Sequence, residues 1–246
     1  MNEKIAKDIE KLHELIENSR HTIFFGGAGM STESGIPDFR GTGGLYTADG
    51  AGNEYYLSRA CLQREPEEFF KFFNEHMVFP NAKPNAGHYA LARLEATGKL
   101  SAVITQNIDG LHQAAGSRRV LELHGTLSRA YCSRCGKVYD GAVLSSGGVP
   151  KCEKCGATVR PDVTLYGEAL DGFIWRDAEN EIAEADLLIV GGSSLTVYPA
   201  ASLVGNFEGK HLVIINYSET GYDYKADLVI KASVGEVLGS LISHEN

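Results

Sequence analysis

Four of the five cysteines form two Cys-x-x-Cys pairs, Cys132 with Cys135 and Cys152 with Cys155. Sixteen residues, 136 to 151, separate the pairs, and this spacing is typical of a zinc site with four thiolate ligands. Four thiolates complete a tetrahedron, so the pattern predicts one structural zinc ion with no open position for water. A redox-active Cys-x-x-Cys pair is disfavoured, because two such pairs at the spacing of a zinc ribbon are better explained together by one metal site. A nucleic-acid zinc knuckle is disfavoured by the acidic chain.

A glycine-rich stretch follows the apolar run at residues 22–25. Gly27 and Gly29 let the backbone turn sharply and bring main-chain N–H groups within reach of a ligand. Ser31 or Thr32 is predicted to cap a short helix whose N-terminus favours an anion such as a pyrophosphate. Strand, glycine turn and helix start together indicate a nucleotide site. Thr32 replaces the third glycine of the dinucleotide fingerprint, so a plain β–α turn stays the alternative.

Polar side chains also follow the apolar run at residues 102–105, namely Gln106, Asn107 and Asp109. In open α/β sheets, ligands bind beyond the carboxyl ends of the strands. These three side chains offer donors and acceptors for ribose hydroxyls and a carboxamide. Helix capping by Asn107 or Asp109 is the alternative.

His124 follows a further predicted strand at residues 120–123 and precedes Gly125. An imidazole at a strand's carboxyl end is well placed for proton transfer near neutral pH. A lone histidine is more often structural, so the residue type and position leave both interpretations open.

A second strand-to-glycine turn comes after the apolar run at residues 186–190. Gly192 is followed by Ser193 and Ser194, whose hydroxyls can bind phosphate or ribose. The two glycine turns together favour a nucleotide ligand.

Apolar runs alternate with helical periodicity along most of the chain, which predicts a doubly wound, Rossmann-like parallel sheet and a smaller zinc-ribbon and helical domain. Residues 41–55 are rich in glycine and predict a mobile loop. The expected domains are a nucleotide-binding one (1–41, 81–126, 162–246) and a small one (42–80, 127–161). The predicted helices are 3–18, 56–62, 66–77, 84–98, 172–185 and one from 233; the strands are 21–25, 102–105, 120–123, 186–190, 211–215 and 227–230.

The 246 residues carry a formal net charge of −9. An acidic chain repels nucleic acid and anionic membranes, so neither is an expected partner, whereas lysine-rich peptides are attracted. The N-terminus has no apolar signal segment and the sequence has no long apolar run. These features predict a cytoplasmic protein.

Several of these motifs resemble those of one family. The run GAGMSTESGIPDFRG at residues 27–41 is similar to the first signature of the sirtuins (Sir2 family), the NAD-dependent protein lysine deacylases, in their bacterial form. TQNIDGLH at 105–112, Leu-His-Gly at 123–125, RPDVTLYGE at 160–168 and GSSL at 192–195 resemble further family motifs. The resemblance extends from about Ser19 to about Leu241.

The resemblance implies NAD as cofactor, with the acyl group of a lysine transferred to ADP-ribose and nicotinamide released. It makes His124 the general base and Asn107 a second catalytic residue. The residues it assigns to NAD are Gly27, Ala28, Gly29, Ser31, Thr32, Asp38, Phe39, Arg40, Gln106, Asn107, Ile108, Asp109, His124, Gly192, Ser193, Ser194, Asn216, Tyr217, Ser233 and Val234.

The resemblance also implies a site for acyl-lysine proteins or peptides, formed by Val163, Thr164, Leu165, Tyr166 and Val197. Phe73 and His76 occupy the positions at which desuccinylating sirtuins carry Tyr and Arg, so neutral acyl groups are expected. The alternatives are sirtuin-type protein ADP-ribosyl transfer, an NAD(P) dehydrogenase and a non-catalytic zinc-ribbon protein.

Overall fold

The computed structural model describes residues 3–38, 53–145 and 147–243. A six-stranded sheet with parallel pairing throughout forms the centre of the fold. Its strands, named in chain order, are β1 (Thr22–Gly26), β2 (Ala102–Thr105), β3 (Val120–Glu122), β7 (Leu187–Gly191), β8 (His211–Ile215) and β9 (Leu228–Ile230). The spatial order is β3-β2-β1-β7-β8-β9. The chain order of the strands therefore reverses between the two central strands, β1 and β7. The carboxyl ends of these two strands are the topological switch point of a doubly wound sheet.

The central strands are buried on both faces, because each presents apolar residues to both sides. All five residues of β1 are buried, with Phe24 on one face and Ile23 and Phe25 on the other. Continuous apolar runs of this kind are typical of parallel strands covered by helices on both faces. The predicted sheet of a doubly wound α/β fold is confirmed.

Helices cover both faces of this sheet and pack into the apolar cluster on each face. In α1, Ile9, Leu12 and Ile16 recur at helical spacing and are buried. The helices of the described residues are α1 (Glu3–Asn18), α2 (Asn53–Tyr56), α3 (Arg59–Arg64), α4 (Pro66–His76), α5 (Ala86–Ala96), α6 (Leu111–Ala114), α7 (Gly172–Glu184), α8 (Ala200–Gly205) and α9 (Val234–Ser243). No helix in the described ranges combines the length and the apolar character that a bilayer span requires.

A second, antiparallel sheet of three strands lies beside the first. Its strands are β4 (Gly125–Cys132), β5 (Val138–Asp140) and β6 (Val159–Val163), in the order β5-β4-β6. Phenylalanines of α4, among them Phe69, Phe70 and Phe73, are buried in one apolar cluster with β4 and β6. The phenylalanine stripe is thus mainly core. The division of the chain into two domains at the predicted boundaries stays a proposal.

Two histidines that the sequence analysis does not place in the site are structural. Asn85 caps α5, and its N–H donates to Nδ1 of His88 (3.3 Å) in a reciprocal capping box. The His88 and His112 rings pack 4.8 Å apart between centroids. Burial lowers the pKa of His88 to about 4 and that of His112 to about 3, so both are neutral at pH 7.

The glycine-rich segment predicted as a loop at residues 41–55 lies mostly outside the described residues. The prediction is wrong at its end, because α2 already begins at Asn53. The polar sequence there favoured a loop, yet Tyr56 stacks on Phe72 at 5.0 Å between centroids and thereby anchors the helix on α4.

Candidate active site

Two glycine turns meet where the strand order reverses. β1 and β7 are neighbours, with Gly26 opposite Gly191. The N–H of Gly27 donates to Gly191 O (3.1 Å), and the N–H of Gly29 donates to Gly192 O (2.8 Å). A Cβ on Gly27 would lie 2.7 Å from Gly192 O, so only glycine permits this approach of backbone to backbone. The turns form one rigid cradle at the carboxyl end of the sheet.

This arrangement corrects one prediction about the first glycine turn. The N–H groups of Gly27 and Gly29 are bonded within the protein, and ligand binding by main-chain N–H groups of this turn stays a prediction. Ser31 and Thr32 do not cap a helix by a side-chain bond, because the segment forms two three-residue 3₁₀ turns. The Thr32 hydroxyl instead donates back to Gly29 O (3.1 Å). The Ser31 hydroxyl finds a stronger, charged acceptor on a different strand end.

That acceptor is Asp109. The Ser31 hydroxyl donates to Asp109 Oδ2 (2.7 Å) and accepts from Asn107 Nδ2 (3.1 Å). The other oxygen of Asp109 accepts the N–H of Leu111 (2.9 Å) at the start of α6. Asp109 therefore accepts the first N–H of α6, whose N-cap position is Gly110, and also joins a chain of polar groups that lines the cavity described below. These bonds hold Asn107 and Asp109 in fixed orientations.

Gln106 connects the end of β2 to the second glycine turn. Its Oε1 accepts the Ser193 hydroxyl proton (3.1 Å), and the same hydroxyl oxygen accepts the N–H of Leu195 (3.2 Å). Gln106 Nε2 is buried and has no partner among the described residues. An unpaired buried amide nitrogen is costly, and the residue that carries it lines the cavity described below. The residues thus suit a ribose-containing cofactor such as NAD.

His124 follows β3, and its ring is held by the backbone of a neighbouring strand end. Nδ1 lies 2.8 Å from Gln106 O. A carbonyl oxygen can only accept, so Nδ1 carries the proton and Nε2 is the basic nitrogen. Burial lowers the pKa of His124 below 6.5, although the bond to Gln106 O opposes this shift. At neutral pH the imidazole is therefore an unprotonated base in a defined tautomer.

The loop after β6 is fixed by a mostly buried ion pair. Arg160 Nη1 and Nη2 bond the two oxygens of Glu168 at 2.5 and 2.8 Å. Glu168 Oε2 also accepts the N–H of Leu165 (3.0 Å), and Arg160 Nη2 donates to Val163 O (2.8 Å). Burial by itself would raise the pKa of Glu168, but Arg160 outweighs it and the pKa falls below 4.5. The loop that carries Thr164 and its neighbours is thereby rigid.

Most of these groups line one cavity of about 1040 Å³. Every predicted cofactor and substrate residue within the described ranges lines it except Gly27, which supports the turn from behind. Phe39 and Arg40 lie outside the described residues. The predicted residues that line the cavity are Ala28, Gly29, Ser31, Thr32, Asp38, Gln106, Asn107, Ile108, Asp109, His124, Val163, Thr164, Leu165, Tyr166, Gly192, Ser193, Ser194, Val197, Asn216, Tyr217, Ser233 and Val234.

Some cavity residues were not predicted from the sequence. Met77, Phe79 and Leu127 form part of the wall, and Tyr198 lies at the rim with 68% of its surface exposed. Met77 and Phe79 follow α4 in a segment without a motif, so no sequence signal indicates them. Tyr198 lies next to the predicted residue Val197, which could have suggested it.

The four cysteines of the two pairs come together in the small domain. Their Sγ atoms all lie within 4.8 Å of one another, and all four are free thiols. Cys132 Sγ to Cys155 Sγ is 3.4 Å, and Cys135 Sγ to Cys152 Sγ is 3.6 Å. A zinc–sulfur bond of about 2.3 Å implies sulfur–sulfur edges of about 3.8 Å in a tetrahedron. The cluster therefore suits one structural zinc ion.

Comparison with known proteins supports the interpretation of these motifs. A family model described as the Sir2 family matches residues 27–199. The chain belongs to the Sir2 family. This match includes both glycine turns, His124 and all four clustered cysteines.

Relatives of this Sir2-family chain are similar over nearly their whole length. An NAD-dependent protein deacetylase of Clostridium perfringens is 54% identical, and the match covers 95% of this chain and 98% of the relative. One of Cutibacterium acnes is 54% identical, with 94% and 96% covered. A solved Sir2 structure with a deacetylated p53 peptide and 3′-O-acetyl-ADP-ribose has a TM-score of 0.89 at 41% identity, with 96% and 98% covered. A Sir2 structure with a p53 peptide and NAD+ has a TM-score of 0.85 at 41% identity, with 96% and 98% covered.

Proposed function

We propose that this chain is an NAD-dependent protein lysine deacylase, releasing nicotinamide, free lysine and O-acyl-ADP-ribose. The observation that carries the proposal is the placement of His124 in the same cavity as the polar strand ends and both glycine turns. The names of the bacterial relatives and the ligands of the similar Sir2 structures support it. Acyl-lysine proteins or peptides are the proposed partners.

Gln106, Asn107, Asp109 and the Ser193 hydroxyl are the groups that we assign to the ribose and carboxamide of NAD. The bound NAD would supply an electrophilic ribose carbon with nicotinamide as the leaving group. The protein would contribute by orienting the cofactor. The Ser31 hydroxyl holds the side chains of Asn107 and Asp109 in fixed positions by hydrogen bonds to both. The remaining predicted cofactor residues, including Phe39 and Arg40, stay proposals.

His124 is the proposed general base. Its Nδ1–H is bonded to Gln106 O, so Nε2 is free to accept a proton from a hydroxyl group in the cavity. The lowered pKa keeps the ring unprotonated at neutral pH. Because the backbone of the neighbouring strand end holds the ring, little reorganisation is needed when the proton moves.

Val163 to Tyr166, with Val197, are proposed to contact the peptide and the acyl-lysine. Part of this segment is already paired, since the N–H of Thr164 donates to His124 O (2.9 Å) and the N–H of Tyr166 to Leu57 O (3.1 Å). The segment is therefore pinned between the base and the small domain. A peptide placed along it would lie directly beside His124.

We propose that the enzyme prefers neutral acyl groups. Phe73 and His76 line the cavity, and none of its described lining residues is a lysine or an arginine. Among these described residues a succinyl carboxylate would find no permanent cationic partner, and burying an unpaired charge is costly. Initial rates on one peptide carrying acetyl-lysine or succinyl-lysine test this, and faster desuccinylation would overturn it.

The central experiment measures nicotinamide released from NAD with and without an acetyl-lysine peptide. Peptide-dependent release with an equal loss of acetyl groups is expected. Nicotinamide release with label transferred to protein and no deacetylation would favour ADP-ribosyl transfer instead. A cytoplasmic location and the absence of nucleic-acid binding stay predictions from composition.

A further inference from the structure

A tyrosine of one zinc knuckle bonds a cysteine of the other. Tyr139 belongs to β5, which directly follows the Cys132–Cys135 knuckle. Its hydroxyl lies 3.1 Å from Cys152 Sγ in the second knuckle. Cys152 is only 3% exposed, and Tyr139 is half-buried, so little water competes for this bond. The bond spans 13 residues of sequence and joins the two halves of the metal site.

The direction of this hydrogen bond follows from the second partner of the hydroxyl. The backbone N–H of Glu153 donates to Tyr139 Oη (3.3 Å). The hydroxyl oxygen thus accepts from Glu153, and its single proton is directed at Cys152 Sγ. A zinc-bound cysteine is a thiolate without a proton, so it can only accept. Both requirements give the same arrangement.

We propose that Tyr139 is a positioning residue that retains the zinc ion, by donating a hydrogen bond to the Cys152 thiolate. Four thiolates around Zn²⁺ leave an excess of negative charge, and an O–H···S⁻ bond stabilises part of it. The bond also holds the second knuckle against β5, so the four sulfur atoms need less ordering when the metal binds.

A nearby ion pair does not replace this bond. Lys137 and Glu153 also connect the two knuckles, but their side chains are 38% and 71% exposed. Exposed pairs of this kind contribute little to stability. The buried bond to the sulfur is therefore the connection that affects the metal.

Zinc retention is relevant beyond the module itself. Cys132 and Cys152 pack in the same apolar cluster as Phe73, Val163 and Leu165. These three residues line the cavity. A loosened knuckle would thus disturb the wall of the cavity, whatever ligand the cavity binds.

The test compares zinc-loaded wild type with Tyr139→Phe, which keeps the ring and removes the hydroxyl. We measure zinc release to a chromogenic chelator and the equilibrium zinc affinity by competition. Loss of an outer hydrogen bond to a metal ligand typically weakens affinity about 10–100-fold, and we expect Tyr139→Phe to fall in this range. The control is Tyr131→Phe, whose ring lies 5.4 Å from the Arg160 guanidinium and should leave zinc release unchanged.

The absorption spectrum of the cobalt-loaded protein supplies a second measurement. It would not change if Tyr139 only supported the fold without bonding the Cys152 sulfur. Removing the O–H···S⁻ bond raises the energy of the sulfur lone pairs, so the thiolate-to-cobalt charge-transfer band should shift to longer wavelength in Tyr139→Phe and not in Tyr131→Phe. If Tyr139→Phe does not fold, Tyr139→Met, a smaller and more flexible apolar side chain without a hydroxyl, supplies the second comparison. Wild-type affinity and an unshifted band, or equal zinc loss in the Tyr131→Phe control, would overturn the proposal.

Discussion

The cavity and the zinc module position their functional groups in opposite ways. The cavity collects residues from the ends of β1, β2, β3, β7, β8 and β9, from Ala28 to Val234. The zinc module brings four cysteines together within residues 132–155, using two local turns and one metal ion. The first arrangement depends on strand order across the whole chain, and the second on short-range spacing. The large core, built from contacts between distant parts of the chain, therefore fixes the positions of the cavity residues. The short segment 132–155 has no core of its own and needs a metal ion to hold its structure.

Removing the zinc should have the largest effect: the module should unfold and the adjacent cavity wall should be disturbed, while the six-stranded sheet persists. Structural zinc contributes on the order of 10 kcal/mol to folding of such segments. We expect chelation under reducing conditions to unfold the backbone around Lys137, Lys151 and Lys154 so that trypsin cleaves there, while the far-UV circular dichroism of the large sheet persists. Deacetylation should be lost, because the cavity wall shares the apolar cluster of Cys132 and Cys152. Zinc-free protein with an intact module would refute this difference between the regions.

His124→Ala should reduce deacetylation and leave both regions folded. A general base contributes about 10²–10⁴-fold, so kcat should fall by that factor, measured as peptide-dependent nicotinamide and acetyl transfer. Zinc content and thermal unfolding should match wild type. His13→Ala, on α1 away from the cavity, is the control and should retain activity. A His124→Ala variant with wild-type turnover would remove this residue from the reaction.

The glycines distinguish a packed turn from a loose one. Gly192 has φ +63°, and a Cβ there would meet the backbone N of Met30. Gly156, in the second knuckle, has φ +73° and open space around it. Gly156→Ala should cost only the left-handed strain of about 1–2 kcal/mol, whereas Gly192→Ala adds overpacking of about 1–3 kcal/mol. Urea unfolding measures both, and equal losses would mean that the two glycine turns are not tightly packed.

Acidification should weaken the sheet side through its buried histidines. The folded pKa values of His88 (about 4) and His112 (about 3) lie below the ordinary 6.5. Below pH 6.5 these two histidines bind protons in the unfolded chain but stay unprotonated in the folded chain. The free energy of unfolding therefore decreases as the pH falls from 6.5 toward the folded pKa values. Each histidine should contribute up to about 1.4 kcal/mol per pH unit, a slope that is approached only below pH 6.5. Urea unfolding between pH 7 and 5 measures this slope, and His112→Phe should reduce it; an unchanged slope would contradict the assignment.

The local parts of the site were predictable from the sequence. The two cysteine pairs indicate their cluster because Cys-x-x-Cys places both thiols on one turn. The apolar runs at β1 and β7 predicted buried parallel strands, and His124 was placed correctly at a strand's end. The prediction for Ser31 was wrong because its strongest acceptor, Asp109, lies 78 residues away. Met77 and Phe79 were missed because a wall made by packing leaves no motif.

The sequence by itself determined the elements, the metal ligands and the glycine positions, since these follow from spacing, periodicity and backbone freedom. Only the tertiary structure decided what the glycines are for. β1 and β7 become neighbours across more than half of the chain, and this contact uses the N–H groups of Gly27 and Gly29 within the protein. The side chains of Gln106, Asn107 and His124 line the cavity beside these two turns. The pairing register of strands that are distant in sequence is set by the burial of both faces of the sheet. A local sequence pattern does not contain this information.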